Sequence, residues 1–264
     1  MTLRIIDVSS TQALINIAPI DCDGVIAKAT GGNNYVNDCC DHVLQQCYKL
    51  NKPSGFYHYA HEFGNINDPI KEADYFIDNT KDYFGKSIPI LDYEVAINGS
   101  SYTDQDVQWC KQWLQHVKDT TGVTPLLYIS KSVIGATDWS PVTNLNVAGW
   151  VAQYADNNYT GWQGDPWTDN KPFTPFNVVM YQYTSHGRIN GYNGNLDLSL
   201  FYGDINAWNS YASINKPINN TEPSIDYLTP FAKDILDGKY GNGDQRKENI
   251  FNAVQKRVNE LTQK

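Results

Sequence analysis

The chain has 264 residues, 41% of them hydrophobic, with 20 Lys and Arg against 29 Asp and Glu for a net charge of −9. That length suits one large domain, or one domain plus a small module, with enough apolar material for a sizeable core. The negative balance argues against a nucleic-acid partner, and no apolar run approaches the roughly 18 residues of a membrane span.

The first element is the short apolar run Leu3–Asp7, closed by an acid. The start of the chain lacks the apolar core of a signal peptide, so the expectation is a protein held in the cytoplasm without an ordinary secretion signal. Gly24–Ala29 reads as a second strand, Asp38–Leu50 as an amphipathic helix, Gly55–Ala60 as a third strand and Ile70–Asn79 as a helix. Ile88–Val95 reads as a buried fourth strand ending in Asp92-Tyr93-Glu94. Side chains two apart on a strand share a face, so Asp92 and Glu94 are expected side by side. Two acids at the mouth of an apolar strand cost stability unless something uses them.

Thr103-Asp104-Gln105-Asp106 opens a helix with an approximate capping box, and Gly122 ends it. Strands follow at Pro125–Ser130, Val147–Tyr154, Val178–Tyr183 and Asn195–Leu198, with less helix between the later ones. This order predicts an α/β fold, a modified (β/α) barrel of the TIM type whose last third departs from regular alternation. Reacting groups in such barrels sit at the C-terminal strand ends. The first strand ends at Asp7, the fourth at Asp92 and Glu94, and the eighth at Asp197. All four acids are expected around one mouth, with Tyr57, Tyr128, Tyr154 and Gln182 as candidate sugar contacts among them. His58 is expected beneath the site. Paired carboxylates whose environments push their pKa values apart are standard apparatus for glycoside cleavage. The 18 Tyr and 7 Trp suit a carbohydrate cleft as well as a core. The five cysteines match no zinc spacing and read as small buried hydrophobes, and no His/Asp cluster suggests a metal or other cofactor.

Residues 212–223 read as a polar, Pro-containing linker between a barrel over 1–211 and a module over 224–264. The module holds seven Lys and Arg against six Asp and Glu, which leaves 13 against 23 before it. The barrel part therefore carries about −10 and the tail about +1. The tail reads as a small all-α, three-helix unit. Leu228, Phe231, Ile235 and Leu236 form one stripe, Gly238–Gly243 a glycine-rich turn, and Ile250, Val254, Val258 and Leu261 a second stripe.

Several fragments taken together resemble the family 25 glycoside hydrolases, the bacterial and phage N-acetylmuramidases. They are Ile6-Asp7-Val8-Ser9-Ser10, Lys28-Ala29-Thr30-Gly31-Gly32, Gly55-Phe56-Tyr57-His58-Tyr59, Pro89-Ile90-Leu91-Asp92-Tyr93-Glu94, Trp150-Val151-Ala152-Gln153-Tyr154, and Tyr181-Gln182-Tyr183-Thr184-Ser185 leading to Gly191-Tyr192-Asn193-Gly194-Asn195-Leu196-Asp197. The resemblance implies hydrolysis of the β-1,4 bond between N-acetylmuramic acid and N-acetylglucosamine in bacterial peptidoglycan. It implies Glu94 as general acid, with Asp92 orienting the substrate acetamido group or stabilising the transition state, and Asp7 and Asp197 beside them. The family often has Glu where Gly31 stands, and Lys28 pairs with barrel carboxylates on one reading. The tail resembles a type-7 cell-wall-binding repeat on Gly238-Lys239-Tyr240-Gly241-Asn242-Gly243 and Arg246-Lys247, which makes Lys239, Tyr240, Asn242 and Arg246 candidate wall contacts. A phage endolysin, waiting in the host cytoplasm for a membrane pore, is the leading expectation. A bacterial autolysin, a non-catalytic peptidoglycan-binding barrel, and a tail that forms homo-oligomers stay open as alternatives.

Overall fold

The computed structural model describes residues 2–164, 166, 175–213, 234–235, 237–241 and 243–262, with side chains of the last helix to Lys256. The chain divides into two compact units, Met1–Pro217 and Ile218–Lys264. No described helix is long and apolar enough to cross a membrane.

In the first unit the strands are β1 (Leu3–Val8), β2 (Gly24–Gly31) and the short β3 (Tyr35–Val36), followed by helix α1 (Cys39–Leu50). β4 (Ser54–Tyr59), α2 (Pro69–Thr80), β5 (Ile88–Asp92), α3 (Asp104–Thr121) and β6 (Leu126–Ser130) continue the alternation. Two single-turn helices, α4 (Lys131–Ile134) and α5 (Ser140–Thr143), precede β7 (Ala148–Ala152). β8 (Asn177–Gly187), β9 (Leu196–Phe201) and α6 (Ile205–Ala212) close the unit. The strand order is β1-β9-β8-β7-β6-β5-β4-β2-β3, and β1 also pairs with β2. Eight strands therefore form a closed barrel, with β3 a hairpin appendage on β2. Six strands run parallel after β1, whereas β9 is antiparallel to both β8 and β1. This is the expected barrel with an irregular last third.

Burial follows the two-residue period. Ile5, Ile26, Ile90, Leu126 and Met180 point into the barrel, while Ile6, Val25, Leu91, Leu127 and Tyr181 pack outward under the helices. Trp208 of α6 joins the interior cluster, packs edge-to-face on Phe201, and donates to the Ser54 carbonyl at the start of β4. α6 thus covers the N-terminal end of the barrel. The expected linker start at 212 moves accordingly, since Ala212 is the buried last residue of that helix.

The helix ends obey local chemistry. Thr103 and Asp106 form the capping box of α3, and Gly122 ends it in the left-handed conformation at φ 74°. All five cysteines are free and buried, and burial pushes the Cys22 thiol up to about 11. Strand β5 stops at Asp92 rather than running to Val95, because the chain bends after it, although the Tyr93 amide still donates to the Tyr128 carbonyl at 3.1 Å. Helices α4, α5 and α6 and the strand β3 carry too few residues for periodicity to reveal them.

In the second unit α7 runs unbroken over Gly243–Thr262. The three-helix expectation put two helices after the glycine turn; they are one here, because Ile250-Phe251-Asn252 contains neither glycine nor proline to break it. Leu228, Phe231 and Leu236 lie outside the described residues.

Candidate active site

The barrel layers create the site. One step above the interior apolar layer, each strand offers a polar or aromatic side chain. Asp7 follows Ile5, Lys28 follows Ile26, Asp92 follows Ile90, Tyr128 follows Leu126 and Gln182 follows Met180. Strand pairing sets them in a ring: Asp92 sits opposite Tyr59 on one side and Tyr128 on the other, and Asp7 sits opposite Asp197. The result is a pocket of about 170 Å³ at the C-terminal end of the parallel strands. Asp7, Lys28, Tyr57, Asp92, Glu94 and Asp197 line it, with Ser9, Tyr59, Tyr128, Trp150 and Gln182. The sequence expectation brought Asp7, Asp92, Glu94 and Asp197 to one mouth, and the structure places them there.

A hydrogen-bond hub fixes one wall. Gln182 Nε2 donates to Asp7 Oδ2 at 2.8 Å, and Gln182 Oε1 accepts from Tyr128 at 2.7 Å and Tyr154 at 2.6 Å. These partners define which way the amide points. Tyr57, Tyr128 and Gln182 line the acid pocket itself, whereas Tyr154 faces an adjoining cleft of about 650 Å³. That cleft starts at Glu94 and Tyr128 and continues past Ser130, Lys131, Gly135 and Gln153.

The acids differ in environment. Asp7 and Asp92 are buried, and loss of water raises both carboxyls well above the usual carboxylate range; Asp197 adds to this for Asp7, and Glu94 for Asp92. Glu94 is open to solvent on one side of the rim. Its carboxyl is raised too, first by desolvation against the protein wall and then by Asp197, while Tyr128 and Lys28 oppose the shift. Burial likewise raises Asp197, and its hydrogen bond with Asp7 opposes that. At each of the four acids desolvation is a larger cause than the neighbouring carboxylates. Asp92 Oδ1 is buried and has no hydrogen-bond partner among the described residues, an arrangement that costs stability in a resting fold.

Residues outside the sequence expectation hold the site in place. The Glu94 carbonyl accepts from Tyr102 at 2.5 Å. The buried Asp106 accepts from the Tyr93 hydroxyl at 2.7 Å and the Ile97 amide at 2.8 Å, which pins the loop that carries Glu94 onto α3. His58 points away from the pocket into the layer under α2. There it bonds Thr30 at 2.8 Å and Glu72 at 2.9 Å. Glu72 also accepts from the His61 amide and Asn67; burial raises its carboxyl, but the His58 and His61 imidazoles and Asn67 outweigh that and hold it down to about 2. The α3 capping box marks a helix start, but nothing in the sequence marks Asp106 as a loop anchor, because its partner lies across a turn.

In the second unit Lys239 pairs with Asp234 at 2.7 Å, and Arg246 Nε donates to the Gly241 carbonyl at 2.8 Å. Asn249 donates to the Tyr240 carbonyl. Asn242 lies outside the described residues. Lys239 and Arg246 thus brace the glycine turn, and Tyr240 sits within it.

Comparison with known proteins is consistent with this geometry. Residues 6–192 match the sequence profile described as glycosyl hydrolases family 25, and residues 230–262 match the CW_7 repeat. The chain is 27% identical over 246 residues to a lysozyme of Streptococcus phage Cp-7, covering 89% of this chain and 62% of that protein. It is 26% identical over 211 residues to lysozyme M1 of Streptomyces globisporus, covering 75% and 67%. Among solved structures, the catalytic domain of endolysin ply40 from bacteriophage P40 of Listeria monocytogenes is similar at a TM-score of 0.59 and 26% identity, over 80% of this chain and 98% of that one. The bacterial lysozyme of Streptomyces coelicolor shares the fold at a TM-score of 0.61 and 22% identity, over 81% and 98%. The chain spans under two thirds of the phage Cp-7 protein.

Proposed function

The chain belongs to the glycosyl hydrolases of family 25, and on that premise we propose that it is a muramidase, cutting the β-1,4 bond between N-acetylmuramic acid and N-acetylglucosamine in peptidoglycan. The observation that carries this reading is the pairing of an unpartnered, buried Asp92 oxygen with a rim carboxyl, Glu94, in one acid-lined pocket.

Glu94 is the general acid. Its raised pKa favours the protonated form that an acid needs, and its place at the rim lets it recover a proton from water. It protonates the glycosidic oxygen as the bond to C1 breaks. The substrate's 2-acetamido oxygen bonds C1 in place of the leaving sugar, and Asp92 Oδ1 accepts from the acetamido N–H as positive charge develops there. A water then attacks C1, gives its proton to the Glu94 carboxylate, and releases the acetamido group. Asp7 and Asp197 share a hydrogen bond and keep their part of the pocket from carrying two full charges. Tyr57, Tyr128, Tyr154 and Gln182 contact the sugars, and the cleft beyond Glu94 takes the glycan strand on that side.

The domain reading is a catalytic barrel that runs through α6 to Ala212, a linker over 213–223, and a wall-binding repeat over 224–264 that uses Lys239, Tyr240, Asn242 and Arg246. In biological terms this is an endolysin, held in a phage-infected cytoplasm and released through a membrane pore to the wall. The test is mass analysis of digested peptidoglycan. New reducing ends on muramic acid support the reading. Reducing glucosamine ends make the enzyme a glucosaminidase, and no new ends make the barrel a binding module.

A further inference from the structure

The acid pocket has one basic side chain in its wall, Lys28. A lysine this close to four carboxyls has an easy alternative: to swing onto Asp92 and form an ion pair that fills the free acceptor. It does not do so here. Its ammonium sits 2.5 Å from Glu62 Oε2, both side chains nearly buried, and lies over the rings of Tyr59 at 4.5 Å and Tyr35 at 5.2 Å.

Glu62 reaches that position at a cost in backbone strain. It lies in the turn after β4, between His61 at φ 58° and Phe63 at φ 57°, two non-glycine residues in the left-handed region. The His61 amide is tied to Glu72, so the turn is held from below. The opposite strand makes room. A Cβ on Gly31 would fall on the Glu62 carboxyl, 2.8 Å from Cδ and 2.9 Å from its Cβ. No ordinary side chain at 31 coexists with Glu62 in this place. Gly31 is not in the left-handed region, so its lack of a side chain serves space rather than backbone freedom.

We propose that Glu62 is a positioning residue for the proposed hydrolysis: it holds the Lys28 ammonium at the wall of the pocket, so that Asp92 keeps a free acceptor and Glu94 keeps its proton. The inference rests on the muramidase reading for its kinetic arm only. The charged and titratable groups that face this pair are Asp92 at the end of β5 and Glu94 beyond it, Asp7 on β1, Asp197 on β9, Tyr57 and Tyr59 on β4, and Tyr35 on β3. With the Glu62 charge gone, the unpaired ammonium favours their ionised forms. The sign is fixed: the carboxyl pKa values fall, and the alkaline limb of the rate profile moves to lower pH.

The experiment compares Glu62→Gln, Glu62→Ala and the double variant Gly31→Glu with Glu62→Ala. The last presents a carboxylate at the same point from β2, where the truncation at 62 leaves it space. Glu62→Gln is expected to lower kcat with KM little changed and to shift the alkaline limb down by about one pH unit, the effect of one unit charge at short range in a half-buried site. The double variant is expected to recover both, while Gly31→Glu alone, with Glu62 present, loses thermal stability by collision. A crystal structure of Glu62→Gln is expected to show Lys28 Nζ at ion-pair distance from Asp92. That arm needs no turnover, so it separates failure of the proposal from failure of the muramidase reading. An unmoved Lys28 overturns the proposal, as does an unshifted alkaline limb or a double variant no better than Glu62→Ala.

Discussion

Asp7 and Asp197 lie directly opposite each other across the antiparallel β1–β9 pair and share a hydrogen bond at the pocket wall. Two carboxyls this close cannot both ionise freely, so the pair holds a proton at a pH where isolated acids have lost theirs. Folding therefore stores unfavourable charge in the site. The stored charge is visible in how stability changes with pH.

Asp7, Asp92, Glu94 and Asp197 all titrate higher in the folded chain than in the unfolded one. Their contribution is fully present below the ordinary carboxylate range and is lost as pH rises through the raised folded values. Glu72, held down to about 2, contributes in the other direction: its share is present above its unfolded value and is lost on acidification toward 2. Asp197→Asn is expected to raise the Tm at pH 7 by about 2–4 °C, the shift one kcal/mol produces at this size, and by less at pH 4. Thermal melts across pH check this; an equal shift at both pH values counts against it.

Glu94→Gln removes the transferable proton while keeping shape. Turbidity clearing is expected to fall by at least about 100-fold, with the Tm unchanged or higher because an acid leaves an acid cluster. Clearing at the native rate would exclude Glu94 as the acid.

Asp92→Asn turns the free acceptor into an amide that can present its N–H to the acetamido group. Hydrolysis is expected to fall about 100- to 1000-fold, as when one oriented transition-state partner is lost. Binding of intact wall fragments is expected to hold. N-deacetylated peptidoglycan should resist the native protein in the same way. If it is cut at the usual rate, the acetamido group is not the nucleophile and carboxylate attack takes its place.

The barrel part carries about −10 and the tail about +1. Anionic wall polymers repel the former at low salt, and a tethered wall-binding unit raises the local substrate concentration. Truncation after Ser213, which keeps α6 whole, is expected to slow lysis of intact cells at low salt and to leave cleavage of soluble fragments unchanged. Equal lysis of cells by both forms would remove the tail from the mechanism.

Glu72 supports the floor of the site through the buried His58 ring, the His61 amide and Asn67. Glu72→Ala leaves those donors without an acceptor. A stability loss of about 3 kcal/mol or more is expected, with activity at low temperature falling only as far as folding does. Denaturant unfolding measures the first and the rate per folded molecule the second.

The barrel and its ring of acids were legible in the sequence because each strand carries its own two-residue period, and a shift of two residues moves from core to mouth. Ile90-Leu91-Asp92 says this by itself, and so does Ile5-Ile6-Asp7. Glu94 was legible for a different reason than the one that places it. The strand stops at Asp92, and Glu94 is held at the rim by Tyr102 and the Asp106-anchored loop. Those contacts join residues across a turn, where periodicity is silent. Gln182 stood out as a candidate sugar contact, but its service as a hub between Asp7 and two tyrosines needs the ring to be closed. Glu62 left no mark in the pattern, since a polar residue in a β4–α2 loop reads as solvent-facing. The tail turn was legible from its glycines; the continuity of α7 was not, because stripes at helical spacing do not say where one helix stops and another starts.

The seam between β1 and β9 also determines when the protein becomes competent. Asp7 lies on the first strand of the barrel and Asp197 on the last, so Asp197 leaves the ribosome only after almost the whole barrel. The last strand must insert between β8 and β1 before these two acids meet. Such distant pairings form late in folding, so a nascent or truncated chain has the Asp92–Glu94 segment but no finished pocket. Under the muramidase reading, a barrel built this way has no finished site until its last strand is in place.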